Sequence, residues 1–183
     1  MQYDMFNFLL FFIIYGFLGF LGETIFRSIV EKKLFISRGF LTNGFCPLYG
    51  ICGILIVEIF TMSELIISSS LWALIWATIV SIALVTLLEY ITGRVLDRVF
   101  HYKLWDYSKY PLNLHSYICL EFSLLWGILA IILANFIHPV MEVLVYAITY
   151  EIRTFISVLV LSVLFVNASY NLRQRYNLDI IKL

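Results

Sequence analysis

Long apolar segments, separated by short polar stretches, constrain this chain more than any other feature. Of its 183 residues, 62% are hydrophobic and 13% are charged. Soluble domains average about 45–50% apolar and about 25% charged residues. A run of about 20 apolar residues is long enough for a helix to cross the hydrocarbon core of a bilayer. The pattern therefore predicts an all-α integral membrane bundle that forms a single transmembrane domain over 1–183.

The polar interruptions set the bounds of five predicted spans. These spans cover approximately 5–27, 46–62, 71–93, 117–137 and 152–172. The residues before the first span include Asp4 and no Lys or Arg, whereas a secretory signal peptide begins with a basic region. We therefore expect the first segment to remain as a spanning helix.

The apolar stretch from 140 to 172 is too long for one perpendicular span, and His138-Pro139 before it predicts a tight turn. Glu151 and Arg153 divide this stretch. One interpretation is a surface helix over 140–152 followed by a crossing helix. The other is a single long tilted helix in which the charged pair faces protein. We favour the surface helix.

Basic residues cluster at alternate ends of the predicted spans. The amino terminus, the link at 63–70 and the predicted turn at His138 contain no Lys or Arg. Lys and Arg accumulate in cytoplasmic loops near span ends. Five spans with the amino terminus outside and the carboxyl terminus in the cytoplasm place every cluster on one side. The clusters are Arg27, Lys32, Lys33 and Arg38 after span one, Arg94, Arg98, Lys103 and Lys109 after span three, and Arg173, Arg175 and Lys182 in the tail.

The longest polar interruption, at 99–116, is predicted to be a cytoplasmic loop. It contains Trp105-Asp106-Tyr107-Ser108, and Pro111 disfavours a helix through it. Burial of a large apolar side chain contributes about 1.5–3 kcal/mol. We therefore expect Trp105 and Tyr107 to pack back onto the bundle.

Polar and ionisable residues gather at the predicted cytoplasmic ends of the spans. A charged group at membrane depth is costly, and it usually faces the bundle interior or water. The sequence therefore predicts a polar cavity that opens to the cytoplasm. The candidate cavity and substrate-binding residues are Glu23, Arg38, Asn43, Cys46, Tyr49, Glu89, Arg94, Trp105, Asp106, Tyr107, Asn113 and Glu121.

Two of the candidate carboxylates have different local partners. Glu23 and Arg27 are spaced for an ion pair within one helix. Glu89 has no basic residue three or four positions away, so its predicted partner comes from another segment, with Arg38 as first choice. In the same first span, Gly16, Gly19 and Gly22 form a smooth face that predicts close helix packing.

Motifs for cofactor chemistry are missing from the sequence. Three cysteines are too few for a disulfide framework. His101 and His115 with Cys46 and Cys119 show no spacing typical of a metal site. We expect no metal, no cofactor and no nucleic-acid partner, and a lipid bilayer as the surroundings.

Four sequence blocks, in order over 16–127, resemble the family of small bacterial membrane proteins known as putative ABC-transporter permeases, type IV. One departure is Asn43-Gly44-Phe45 before Cys46, where the family often has a Gly-Pro pair. The resemblance implies a multi-pass permease subunit in the cell membrane. The blocks are Gly16-Phe-Leu-Gly-Phe-Leu-Gly-Glu23, Arg38-Gly-Phe-Leu with Cys46-Pro-Leu-Tyr-Gly50, Glu89 with Thr92-Gly93, and Trp105-Asp-Tyr-Ser108 with Asn113-Leu and Ile118-Cys-Leu120.

A permease of this kind would need partners. The chain contains no G-x-x-x-x-G-K-[ST] phosphate-binding loop, so any ATP hydrolysis would come from a separate ATPase subunit. Five spans enclose little space on their own, so transport also suggests a homo-oligomer. The substrate does not follow from the sequence.

Two other functions remain open at the level of sequence. One is a membrane-embedded enzyme at the cytoplasmic leaflet, with Glu23, Glu89 and Asp106 as acid or base groups whose pKa values burial raises. Arg38 and Arg94 would then bind a phosphate or carboxylate. Since no known catalytic motif is present, an enzyme is disfavoured. The other is a non-catalytic accessory membrane protein.

Overall fold

A computed structural model of the chain describes residues 4–30, 32–34, 42 and 44–181, with side chains described up to 174. Arg38 and Asn43 lie outside the described residues. The helices are α1 (Met5–Val30), α2 (Pro47–Ile66), α3 (Ser70–Phe100), α4 (Leu120–Ile132), α5 (His138–Ala147) and α6 (Tyr150–Ile181). A π-helical turn at Leu133–Ile137 joins α4 to α5. Two short antiparallel strands, β1 (Asn113–Leu114) and β2 (Ile118–Cys119), form a hairpin before α4.

Within the described residues, five helical segments are long and apolar enough to cross a membrane, which confirms the predicted number. Their bounds are Met5–Val30, Pro47–Ile66, Ser70–Phe100, Leu120–Ala147 and Tyr150–Gln174. The chain is thus an all-α, multi-pass membrane protein. α3 continues beyond its apolar part to Phe100 and carries Arg94, Asp97 and Arg98 on its last turns.

The predicted turn at His138-Pro139 is wrong. α4, the π-helical turn and α5 form one continuous helical segment, and the break follows Ala147. A proline inside a helix removes one hydrogen bond, and its ring clashes with the carbonyl four residues earlier. For Pro139 that carbonyl belongs to Asn135, which lies in the wider π-helical turn. The π-helical turn therefore accommodates the ring where a regular helix would kink.

The favoured surface helix over 140–152 is also wrong. This range contains the end of α5, the break at 148–149 and the start of α6. The backbone N–H of Ile148 donates to the carbonyl of Val145, and the N–H of Arg153 donates to the carbonyl of Thr149. The helical hydrogen bonds of α5 therefore end, and those of α6 begin, at the break. Glu151 and Arg153 therefore lie in the first turn of the last helix, directly after the break.

The chain divides into two compact units, Met1–Ile51 with Val145–Leu183, and Cys52–Leu144. In the first unit α1 packs against α6. The ring of Phe45 occupies the space where a side chain at Gly16 would lie, and Tyr49 does the same at Gly19. The glycine face of α1 therefore receives aromatic side chains, and the absence of a Cβ permits their close approach.

In the second unit α3 packs along α4. The buried positions of α3 recur almost every fourth residue, as expected for one face of a helix. A Cβ at Gly127 of α4 would lie 2.7 Å from the Cδ1 of Ile82, so the two helices approach closely there. The buried face of α3 consists of Ala73, Ala77, Ser81, Val85, Glu89, Gly93 and Leu96.

Candidate functional site

Glu89 is the one charged residue on the buried face of α3, and uncharged donors from two other segments contact its side chain. Only 5% of the residue is exposed. The hydroxyl of Tyr107 donates to Oε1 at 3.0 Å, and the indole Nε1 of Trp126 donates to Oε2 at 3.2 Å. Tyr107 belongs to the segment between α3 and α4, residues 101–119, which we call the polar loop, and Trp126 belongs to α4. The carboxylate is therefore fixed where α3, α4 and the loop meet.

The ring of Tyr107, whose hydroxyl contacts Glu89, packs among other aromatic rings. The Tyr107 ring stacks on Phe122 of α4, with ring centroids 4.8 Å apart. Tyr110 meets the same Phe122 ring edge-on at 5.2 Å. Such pairs contribute about 0.5–1.5 kcal/mol beyond the apolar area they bury. The loop is thus folded back on the helices, as predicted for Tyr107.

Trp105, two residues before Tyr107, is also hydrogen-bonded to the folded loop. Its Nε1 donates to the backbone carbonyl of Tyr117 at 2.7 Å. The Tyr117 side chain packs against Gly93, and its hydroxyl donates to Asp97 Oδ2 at 2.7 Å. This hydrogen bond raises the pKa of Tyr117 above its ordinary value. Trp105 is half-buried in this arrangement, so it also packs back onto the bundle as predicted.

Arg94 contacts an aromatic residue instead of a carboxylate. Its Nη1 donates to the hydroxyl of Tyr90 at 3.0 Å, and the guanidinium carbon lies 5.8 Å from the centroid of the same ring. The Tyr90 hydroxyl also lies 3.3 Å from Nδ1 of His115 in the loop. Within the described residues Arg94 forms no ion pair. Arg94 therefore positions Tyr90 and the loop.

The loop holds its shape by backbone contacts at strained positions. Leu112, His115 and Ser116 have positive φ angles, which residues other than glycine rarely adopt. The N–H of Tyr117 donates to Leu114 across His115 and Ser116, as in the tight turn of a hairpin. The Asn113 side chain donates to Tyr110 and accepts from the N–H of Ser116. Asn113 is exposed, and its contacts stabilise the turn.

Asp106 is an exposed residue that stabilises the loop. Its Oδ1 accepts the backbone N–H of Ser108 at 2.9 Å, and Lys103 lies 3.9 Å from Oδ2. The bond from Ser108 holds the pKa of Asp106 below its ordinary value of 3.8. The expectation that burial raises this pKa is wrong, because the side chain is not buried. Glu121 is likewise exposed, at the start of α4.

Three further candidates lie in the other compact unit. Glu23 forms an ion pair with Arg27 at 3.2 Å, as their spacing indicated. Tyr49 packs on Gly19, and the backbone N–H of Cys46 donates to the carbonyl of Gly16 at 3.1 Å. A single cavity shared by all twelve candidates stays a prediction. The pairing of Glu89 with Arg38 stays one too, since Arg38 is outside the described residues.

Several residues at this site were missed in the sequence. Trp126 is the most important, because it donates directly to Glu89. A buried indole N–H usually finds an acceptor, so a Trp inside an apolar span could have been matched with the nearest unassigned carboxylate. Tyr117, Asp97 and Tyr90 carried no comparable signal, since their contacts depend on how the loop folds back.

Comparisons with known proteins agree with the resemblance seen in the sequence. No curated protein and no solved structure matches the chain significantly. A family model described as "Putative ABC-transporter type IV" matches residues 10–172, which is most of the chain and extends into α6. The chain therefore belongs to the putative ABC-transporter type IV family.

Proposed function

We propose that this protein is a permease subunit of an ABC-type transporter in the cell membrane. The observation that carries this proposal is the Glu89 carboxylate, which is buried on a helix apolar enough to cross a bilayer. An ionisable group in such a helix is costly and usually marks a pathway or a binding site. Tyr107 and Trp126 hold it in a defined position, as a substrate-binding group requires.

The proposed orientation places the amino terminus outside and the carboxyl terminus in the cytoplasm. With five spans, every Lys and Arg except Arg153 then lies at a cytoplasmic end, in a cytoplasmic loop or in the tail. This is the distribution that governs orientation in membranes. Glu89 lies in the second half of α3, so the proposed cavity opens to the cytoplasm.

Energy for transport would come from a separate subunit. The chain has no phosphate-binding loop of the ATPase type. The polar loop offers a docking surface, because Lys103 and Lys109 are both exposed on it. We therefore propose that an ATPase subunit binds the cytoplasmic loops, and that two or more copies of this chain enclose the pathway.

Affinity purification of the tagged protein from membranes of its own host tests this function. We expect a chain that contains G-x-x-x-x-G-K-[ST] to co-purify in stoichiometric amount. Replacing Lys103 and Lys109 by Glu should remove it, because the charge of the docking surface is reversed. Arg173→Glu, which reverses the charge at an exposed position of α6, is the control. If the wild-type protein carries no such chain after cross-linking, the proposal fails.

A second experiment addresses the role of Glu89. Glu89→Gln keeps the shape of the side chain and removes its charge. In the co-purified complex we expect the variant to retain the ATPase subunit and to lose the ATP hydrolysis that depends on transport. Full hydrolysis with a neutral residue at 89 would show that this carboxylate has no part in the pathway.

A further inference from the structure

Arg153, in the first turn of α6, is held by uncharged groups of its own compact unit. Its Nη1 donates to Oδ1 of Asn7 on α1. The guanidinium carbon lies 5.5 Å from the ring centroid of Tyr146 and 6.0 Å from that of Tyr150. Asn7 is 2% exposed, and its Nδ2 lies 3.2 Å from the hydroxyl of Tyr146. These contacts fix the guanidinium beside the break between α5 and α6.

Among the described residues, no carboxylate forms an ion pair with Arg153. An arginine side chain stays protonated in proteins. Asp4 precedes Asn7 by three residues and Glu151 precedes Arg153 by two. Neither forms an ion pair with Arg153 in the part of the chain that the structure describes. Asp4 instead accepts the backbone N–H of Asn7 at 2.8 Å. An anion from outside the chain would therefore meet a preformed cation.

Two buried polar atoms lack a partner on this same face of α6. The Nε of Arg153 and the hydroxyl of Ser157 form no hydrogen bond with any described residue. Ser157 is 0% exposed and follows Arg153 by four residues, so the two side chains lie on one face of the helix. Leaving buried polar groups unpaired lowers stability. Both atoms are hydrogen-bond donors, so an acceptor would satisfy them.

We propose that Arg153 and Ser157 bind a phosphate-type oxyanion, with Asn7 as the positioning residue. The Nε edge of a guanidinium forms two parallel hydrogen bonds to a phosphate or carboxylate, and here the Nε of that edge has no partner among the described residues. Tyr146 and Tyr150 are about half exposed, as is typical of tyrosines at a membrane–water interface. Lipid phosphates lie at a membrane–water interface. The oxyanion is thus either a phospholipid headgroup or free phosphate.

This site goes beyond the proposed function, because it shares no residue with Glu89 and its donors. In the proposed orientation it lies at the outer ends of the helices. The binding itself requires only the contacts among Asn7, Tyr146, Arg153 and Ser157, so it can be tested whether or not the orientation and the permease role hold.

The test uses the full chain purified in a non-ionic detergent and stripped of lipid. Its melting temperature is measured with inorganic phosphate against chloride at equal ionic strength, and with phosphatidylglycerol against an uncharged galactolipid. Stabilisation by phosphate assigns a soluble anion, and stabilisation by phosphatidylglycerol alone assigns a headgroup. No response to either anion overturns the proposal.

Three variants separate a binding site from a structural contact. Arg153→Lys keeps the charge but cannot form bidentate hydrogen bonds to an oxyanion. This variant should therefore weaken the apparent affinity for phosphate or phosphatidylglycerol about tenfold or more. Ser157→Ala removes an unpaired hydroxyl, so the ligand-free protein should melt no lower while its affinity falls several-fold. Arg173→Gln, exposed on the same helix, should respond like the wild type. Wild-type affinity in both Arg153→Lys and Ser157→Ala would refute the site.

Discussion

The hydroxyl of Tyr107 lies 3.0 Å from Oε1 of Glu89, although 18 residues separate them in the chain. This bond ties the polar loop to the buried face of α3. A change in the charge or the bound partner of Glu89 therefore changes how firmly the loop is held. In the proposed permease such a link would couple substrate binding at Glu89 to the shape of the loop proposed as the docking surface.

The hydrogen bond itself predicts a stability effect. Tyr107→Phe keeps the ring that stacks on Phe122 and removes one donor to the Glu89 carboxylate. Hydrogen bonds to charged groups contribute about 1.5–3 kcal/mol. We expect the free energy of unfolding in detergent to fall by about that amount. Tyr110→Phe is the matched control, since the ring of Tyr110 packs on the same Phe122. An equal loss in both variants would contradict this account.

Glycine positions on α1 should differ sharply in their tolerance of alanine. A Cβ at Gly19 would lie 2.3 Å from the Cβ of Tyr49, whereas a Cβ at Gly22 would meet no described atom within 4 Å. Gly19→Ala should therefore lower the free energy of unfolding by about 1–3 kcal/mol or more through overpacking. Gly22→Ala should be neutral, or stabilising by up to about 1 kcal/mol through its helix propensity. Comparing the two melting temperatures decides the matter.

Acid should loosen the loop through Asp106. The hydrogen bond from the N–H of Ser108 lowers the pKa of Asp106 below 3.8. The stabilising effect of the ionised Asp106 side chain is therefore fully present above that value. The effect is lost as the pH falls through the still lower pKa of the folded protein. With the exposed Trp72 and Trp76 replaced by Phe, quenching by acrylamide of the fluorescence of Trp105 and Trp126 should therefore increase at the acid end. Asp106→Asn should show less of this pH dependence. An identical acid response in the variant would exclude Asp106 as its source.

The proposed orientation is tested with single cysteines in a protein whose Cys46, Cys52 and Cys119 are replaced by Ala. Ser69 lies between α2 and α3, Ser108 lies in the polar loop, and both are exposed. With a membrane-impermeant maleimide on intact cells, Ser69→Cys should react and Ser108→Cys should not. Arg173→Cys should behave like Ser108→Cys. Reaction of the Ser69 and Ser108 variants from the same side would rule out the orientation.

Much of the architecture was predictable because hydropathy acts locally. An apolar run of about 20 residues specifies a spanning helix without reference to its neighbours. The number of long apolar helices, the ion pair of Glu23 with Arg27, and the folding back of Trp105 and Tyr107 followed from the order and spacing of residues. The family, too, was recognisable from short blocks of sequence.

Only the tertiary structure decided which groups meet. Trp126 reaches Glu89 across 37 positions, and Arg153 reaches Asn7 across 146. No local pattern encodes such pairs, because they depend on how helices pack. The continuation of the helix through Pro139 likewise depends on the π-helical turn before it, which local proline preferences did not indicate. Sequence determined where the apolar helices run, and packing determined which polar groups they hold together, since a buried donor or acceptor must find its partner wherever the fold brings one.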